Sequence, residues 1–572
     1  MSPSAPVRSI AAPLLALGLI GALGALGAGA GCSHPAQAPI TPLPRPVFAD
    51  YLAGKLSAYE GDWDAAADAL TAAAAGAPDQ PMIAVELARL QVKARRTTDA
   101  MATLSRARAR WPDHPQVWLA SGDLLAAREP AEASRAYLRA IELAPDDERA
   151  YLGLARLQSP EAAETTLRIL IAHVPASVDG HYRLAVRLGL RGELESSTRE
   201  LRAVLERDPD HIDARLDLAR ALRRQGHLDQ AIAETRSAFD RSGQALDLAE
   251  ELFDLLCEAD DRAGAIDLLT LLDDDHSDAE ALAVLARLDR GLGRLTEARA
   301  VAARIAVIDR DAGAIARAEV EIAAGNRAAA AAALATVEPD GKLAGDARRL
   351  AADAALAADD PAAALAALGG PGAPRSENLD GALLAAFALA DLGRLPEARA
   401  RLAGFGGTAG PDTAERDAAQ LARARLADRA GDRAGALAIL EPLIRTRPDL
   451  VGALNLAGYL LADASQRLDD AERYLRHARE LAPGDPAILD SWGWMLFRRG
   501  RARDAVRALD RAARFAPLEP EILLHLAAAS AADGAQQAAA QVLDRAAALS
   551  PPRAVRRRIA ALRQTLTAPA RR

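Results

Sequence analysis

Two cysteines in 572 residues, Cys32 and Cys257, leave no material for a disulfide framework within a fold. Aromatic residues make up only 3% of the chain. A basic excess is missing too: the formal net charge is −9, which argues against a general nucleic-acid binder, and no nucleic-acid partner is expected. No stretch alternates apolar and polar residues over strand length, which excludes a dinucleotide-binding α/β sheet and an outer-membrane barrel. Catalytic constellations are equally scarce. The densest acid–histidine cluster, Asp273-Asp274-Asp275-His276, falls where a helical hairpin should end and reads as a solvated loop between helices rather than a metal site. His173, His181 and His211 are scattered without ligand spacing, and the glycine strings at 369–372 and 404–407 precede no strand that could open a phosphate-binding turn. Cys257, beside Leu255 and Leu256, reads as a buried, inert thiol. The expectation is a non-enzyme without metal or cofactor. What the chain does contain is 50% hydrophobic and 26% charged residues, the profile of a folded protein.

Its first segment is a targeting sequence. Arg8 precedes an apolar run at residues 10–31 that ends in small residues directly before Cys32. That order defines an export signal over 1–31, with an uncleaved membrane anchor as the alternative because the run is long enough to span a bilayer. Gly29-Ala30-Gly31-Cys32 resembles a bacterial lipobox, although Gly29 stands where that pattern has leucine. The resemblance implies lipidation of Cys32, and Ser33 after it implies the periplasmic face of the outer membrane. Residues 32–45 follow as a Pro-rich tether.

The remainder repeats itself. Pro78, Pro112, Pro145, Pro175 and Pro209 are separated by 34, 33, 30 and 34 residues, and Pro448, Pro483, Pro517 and Pro551 by 35, 34 and 34. A period near 34 is the signature of tetratricopeptide (TPR) helix hairpins, and small residues recur where paired helices must cross, as at Gly122, Ala133, Gly493 and Ala505. The fold class is therefore all-α, a TPR superhelical solenoid of about fifteen hairpins. The expected organisation is an N-terminal array over 46–310, degenerate repeats with Gly/Pro-rich loops over 311–411, a C-terminal array over 412–551, and a basic, solvating cap helix and tail over 552–572. Glycine-rich breaks at 369–381 and 404–413 suggest two arms flexing about the irregular middle.

In such arrays the first helices line the concave face, where partner proteins dock. Positions four, seven, eleven and fourteen after each repeat-closing proline face that groove. In the C-terminal array they include Asn455, Tyr459, Asp490, Trp494, Phe497 and Glu521, with Trp492 in a packing slot instead. The same count gives a more charged groove earlier, with Arg89, Arg156, Tyr182, Arg220 and Arg223. Exposed aromatics flanked by hydrogen-bonding groups suit a protein-binding hot spot. The basic run Arg553, Arg556, Arg557, Arg558, Arg563, Arg571 and Arg572 reads as a solvated helix face, with a contact to lipid phosphates or an acidic partner as the alternative.

Residues 453–463 (ALNLAGYLLAD), 472–500 (with DPAILDSWGW) and 519–527 resemble the C-terminal repeats of a bacterial outer-membrane TPR lipoprotein family. Asn455, Gly458, Tyr459, Leu461, Ala462 and Asp463 match one family string, and Asp485 to Ser491 with Gly493 and Trp494 match another. The resemblance covers roughly 450–527 and implies an adaptor that tethers a carboxyl-terminal processing protease to peptidoglycan hydrolases in the periplasm. A scaffold for polysaccharide export or pilus assembly is the alternative.

Overall fold

The computed structural model describes residues 43–567 except 276, 370–377 and 407–412. The signal, Cys32, His276 and the tail arginines Arg571 and Arg572 lie outside the described residues. Thirty-one helices and no strand occur among the described residues, and thirty of the helices pair as fifteen consecutive hairpins, with Arg553–Thr567 left single. The chain forms two compact units, one ending at Val174 and one beginning at Pro175. The first holds four hairpins, the second eleven and the single last helix. The units thus part at 174/175 rather than within 311–411.

Local chemistry explains the hairpin. Second helices stop two residues before the repeat-closing proline: Thr97–Arg110 precedes Pro112, Leu468–Leu481 precedes Pro483, and Ala502–Phe515 precedes Pro517. Proline also disfavours helical backbone in the residue before it, so the helix ends just short. The next helix opens on a cap. Asp485 accepts hydrogen bonds from the amides of Ala487 and Ile488 at 2.7 and 3.4 Å, and Pro486 occupies the first turn, where no donor is needed. Within the hairpin, Gly500 turns the chain with φ 77°, a conformation glycine adopts without strain.

Small residues sit at the crossings, as the repeat pattern requires. A methyl group on Gly493 would stand 2.5 Å from Cγ of Leu509. Tyr137, fully buried, lies between Gly122 and Gly153, where an added Cβ would come within 2.6 and 2.5 Å of its ring.

The irregular middle keeps its hairpins but truncates their second helices. Arg327–Leu334, Pro361–Ala367 and Leu395–Leu402 have 8, 7 and 8 residues, against 14 in Ala502–Phe515. The shortening leaves an alanine-lined cavity of about 650 Å³ between Arg327 and Ala367. Both expected breaks are narrower than their glycines suggest. Asn378 caps Leu379–Asp391, so 379–381 are helical, and Thr413–Arg429 begins at the last residue of the second break. The acid cluster is also corrected: the helix Arg262–Asp275 runs through Asp273, which pairs with Arg304, because helix continues up to the acids instead of ending before them.

Within the second unit the chain meets itself again at long range. Arg262 donates to the carbonyl of Arg514, and Arg511 to those of Cys257 and Glu258. Arg514 pairs with Asp260 at 2.8 Å. Arg327 reaches the carbonyl of Ser550 at 2.6 Å, and Asp359 accepts from the Arg553 amide and the Arg556 guanidinium, each at 2.8 Å. These partners lie 194 to 254 residues apart. Phe515 is 5% exposed and packs into the apolar cluster of residues 216–305.

Candidate functional site

The first helices of neighbouring hairpins are joined by polar contacts about one repeat apart. Tyr182 donates to Asp217 at 3.1 Å, Arg223 pairs with Glu258 at 2.6 Å, and Arg290 pairs with Glu319 at 3.4 Å. Arg429 and Asp391 continue the series at 2.7 Å. It culminates in the last four first-position helices, Val451–Asp463, Pro486–Arg498, Pro520–Ala532 and Arg553–Thr567, each of which contributes a side chain to one cluster.

At its centre is His525, fully buried. Its Nδ1 lies 2.9 and 3.0 Å from the two oxygens of Asp490, and its Nε2 lies 3.0 Å from Nη2 of Arg558. Arginine can only donate, so Nε2 accepts, and the ring proton resides on Nδ1 facing Asp490. That tautomer follows from the partners. Arg558 also pairs with Glu521 at 2.8 Å, and the Tyr459 hydroxyl donates to the same Glu521 oxygen at 3.2 Å. Burial and then the Glu521 carboxylate hold the Tyr459 phenol well above its ordinary range. The Trp494 indole stacks on His525 with centroids 4.1 Å apart and on Phe497 at 4.9 Å, and its Nε1 donates to Asp463 at 3.2 Å. The guanidiniums of Arg498 and Arg558 lie 5.6 and 5.5 Å from its ring centre. On the neighbouring helix Thr413–Arg429, burial raises the Asp428 carboxyl, with Asp463 and Glu521 adding to the shift against Arg433.

This arrangement corrects the expectation that Trp494 and Asp490 are exposed. Each is only 7% exposed, because His525 and Arg558 from the next two first helices cover them. Leu524 and Ala462, on the same count, are buried as well. Tyr459, Phe497 and Glu521 are half-buried and form the accessible edge with Arg558. Asn455 is half-buried, its Oδ1 without a hydrogen-bond partner among the described residues. Trp492 packs partly buried against the core, under the Arg479 guanidinium at 4.3 Å.

The charged residues of the earlier repeats fall in both units. Arg89 and Arg156, both exposed, belong to the first unit, Arg89 standing 3.8 Å from Glu86. In the second unit, Tyr182 and Arg220 share Asp217, and burial with that carboxylate pushes the tyrosine up to about 12. Arg220 also reaches Glu251 at 3.5 Å.

His525, Arg558, Asp463 and Arg498 were missed as groove residues. Arg558 carried a usable signal, since it stands seven places after Pro551, as Asp490 does after Pro483. Arg553, Arg556, Arg557 and Arg563 of the basic helix are exposed, as a solvated face requires, while Arg556, Arg558 and Arg563 also pair with Asp359, Glu521 and Asp544.

Hairpins of this length, crossing and closure define a tetratricopeptide-repeat solenoid. Residues 58–122 and 191–244 match one family model for the tetratricopeptide repeat, and residues 421–486 and 491–554 match a second. A TPR repeat-containing protein of Pseudomonas aeruginosa is 42% identical over 76 residues, which span 13% of this chain and 13% of that relative. Among solved structures, a chain of the APC/C hetero-tetramer Cut9–Hcn1 is 13% identical, covering 91% of this chain and 96% of that one with a TM-score of 0.36. YrrB, a TPR protein with an unusual peptide-binding site, is 17% identical, covering 32% and 98% with a TM-score of 0.27.

Proposed function

We propose that this chain is a non-catalytic scaffold that binds partner proteins along its first-helix face while a lipid on Cys32 holds it at the periplasmic side of the outer membrane. Its partners on this reading are a processing protease and the cell-wall hydrolases it degrades, brought together by tethering, which raises their effective concentration. The reading rests chiefly on the cluster around His525. Tyr459, Phe497, Glu521 and Arg558 present an aromatic and charged edge whose rotamers are locked by a buried backing of Trp494, His525 and Asp490. A partner meeting such a surface loses little further side-chain freedom on binding. The non-catalytic part is supported by the same geometry, since both nitrogens of His525 are occupied within the fold.

The test uses a photo-crosslinking residue at Phe497 in cells. A crosslinked protein partner that disappears with Tyr459→Phe plus Glu521→Gln supports the edge as the binding site. An unchanged set of crosslinked and co-purified proteins in that double variant would show that binding lies elsewhere. A Cys32→Ser variant that still acquires lipid would remove the proposed anchor.

A further inference from the structure

The first described helix, Arg45–Glu60, leaves an apolar strip uncovered. Phe48, Leu52, Leu56 and Tyr59 are 51, 49, 59 and 91% exposed. At roughly 100° per residue they fall within an arc of about 80°. The buried residues Val47 and Gly54 point elsewhere, toward the rest of the hairpin. Exposed Ala49 and Ala53 widen the strip. Trp63, the first residue of the next helix, is 37% exposed. Terminal repeats of a solenoid that end in water carry a polar outer face, whereas here four large apolar side chains stand exposed beside Arg45 and Lys55. An apolar strip of this kind marks a contact surface.

Chain length says what covers it. The apolar run of residues 10–31 ends 13 residues before Arg45. A Pro-rich segment of that length reaches roughly 40 Å at about 3.1 Å per residue. Whether the run remains as an anchor or a lipid on Cys32 replaces it, the strip is confined within that distance of a bilayer. Its aromatics Phe48 and Tyr59, with Trp63 beside them, are of the kind enriched at the water–lipid boundary. We propose that Arg45–Glu60 lies on the membrane surface with Phe48, Leu52, Leu56 and Tyr59 among the lipid headgroups. The inference rests on the anchored reading above and extends it by naming the surface that meets the bilayer.

The test reads depth rather than attachment. Full-length lipidated protein carrying Leu52→Cys, its Cys32 sulfur held in the lipid thioether, is labelled with an environment-sensitive fluorophore and reconstituted in phosphatidylethanolamine–phosphatidylglycerol vesicles containing nitroxide lipid. Cys257 is buried and stays unlabelled. Val307→Cys, at a site 87% exposed, is the control. At least threefold stronger quenching at position 52 than at 307 is expected. A label at Tyr59→Cys should lose that excess in a Leu52→Glu plus Leu56→Glu variant whose helical circular dichroism is unchanged. Equal quenching at 52 and 307 in vesicles that carry the chain overturns the membrane contact while leaving the anchor intact. Excess quenching at Tyr59→Cys in a chain that floats only when Leu52 and Leu56 are intact supports the contact and overturns the anchor. A label at 52 shielded from water without lipid quenching, in a species of twice the mass, assigns the strip to a second copy and overturns the proposal.

Discussion

Trp494 illustrates how a position in the repeat settles direction but not exposure. Its indole points toward the first-helix face, yet His525 and Arg558 close over it. Trp494→Ala should therefore act as a core deletion, costing about 3–5 kcal/mol and lowering the melting temperature of the second unit. A variant with wild-type melting would contradict that burial. Asp289 makes a second residue-level case. It is 2% exposed, and burial pushes its carboxyl up to about 6 against the opposing Arg294 guanidinium. A carboxyl raised in the fold is protonated there more readily than in the unfolded chain. Its unfavourable contribution is absent below the ordinary carboxylate range, grows as pH rises toward 6, and is then constant. Asp289→Asn should stabilise at pH 7.5 by up to about 3 kcal/mol and hardly at all at pH 4, measured as the shift in melting temperature at each pH. Equal shifts at both would show that the buried charge is not what costs stability. Cys257, 6% exposed with its thiol pushed up to about 12 mainly by burial, should react with a disulfide reagent only on unfolding. Burst labelling of the native Cys32→Ala chain would contradict this. The inert thiol was legible from flanking leucines. The His525 cluster was not, because its members come from four helices and a single-repeat count cannot show which of them lie on top.

Helical hairpins were the most legible level. Proline spacing places the second-helix ends, and the small residues at Gly122 and Gly493 mark the crossings. Gly153→Val should push the Tyr137 ring out of its fully buried site and cost about 1–3 kcal/mol, read from chemical denaturation. Full retention of stability would mean that the ring has room to move. The truncated middle was legible only in part. Thinning leucines announce weak packing, but alanine is the strongest helix former, so hairpins persist there on propensity with little apolar area to bury. The last helix was legible as a solvated face but not in its pairings. Arg556, Arg558 and Arg563 find their acids on other segments, and such pairing leaves no trace in local charge pattern.

Across the second unit, contacts such as Arg511 to Glu258 and Asp359 to Arg553 tie repeats that are far apart in sequence. Asp359→Ala with Arg511→Ala should speed backbone hydrogen exchange near residues 254–262 and 549–558 while leaving helical content unchanged. Unaltered exchange in both segments would show that the contacts carry no local stability. Nothing in a 34-residue period predicts such ties, because they depend on how curvature accumulates over many hairpins.

They also set an order of events in time. A simple stack can grow hairpin by hairpin, each new repeat needing only the one before it. Here the carbonyl of Glu258 waits for an arginine 253 residues later. At a synthesis rate of about 5–20 residues per second, that interval is on the order of 10–50 s. During it the turn after Leu246–Glu258 has its sequence neighbours but not its distant one. A chain cut short before Arg511 would keep that raw edge permanently.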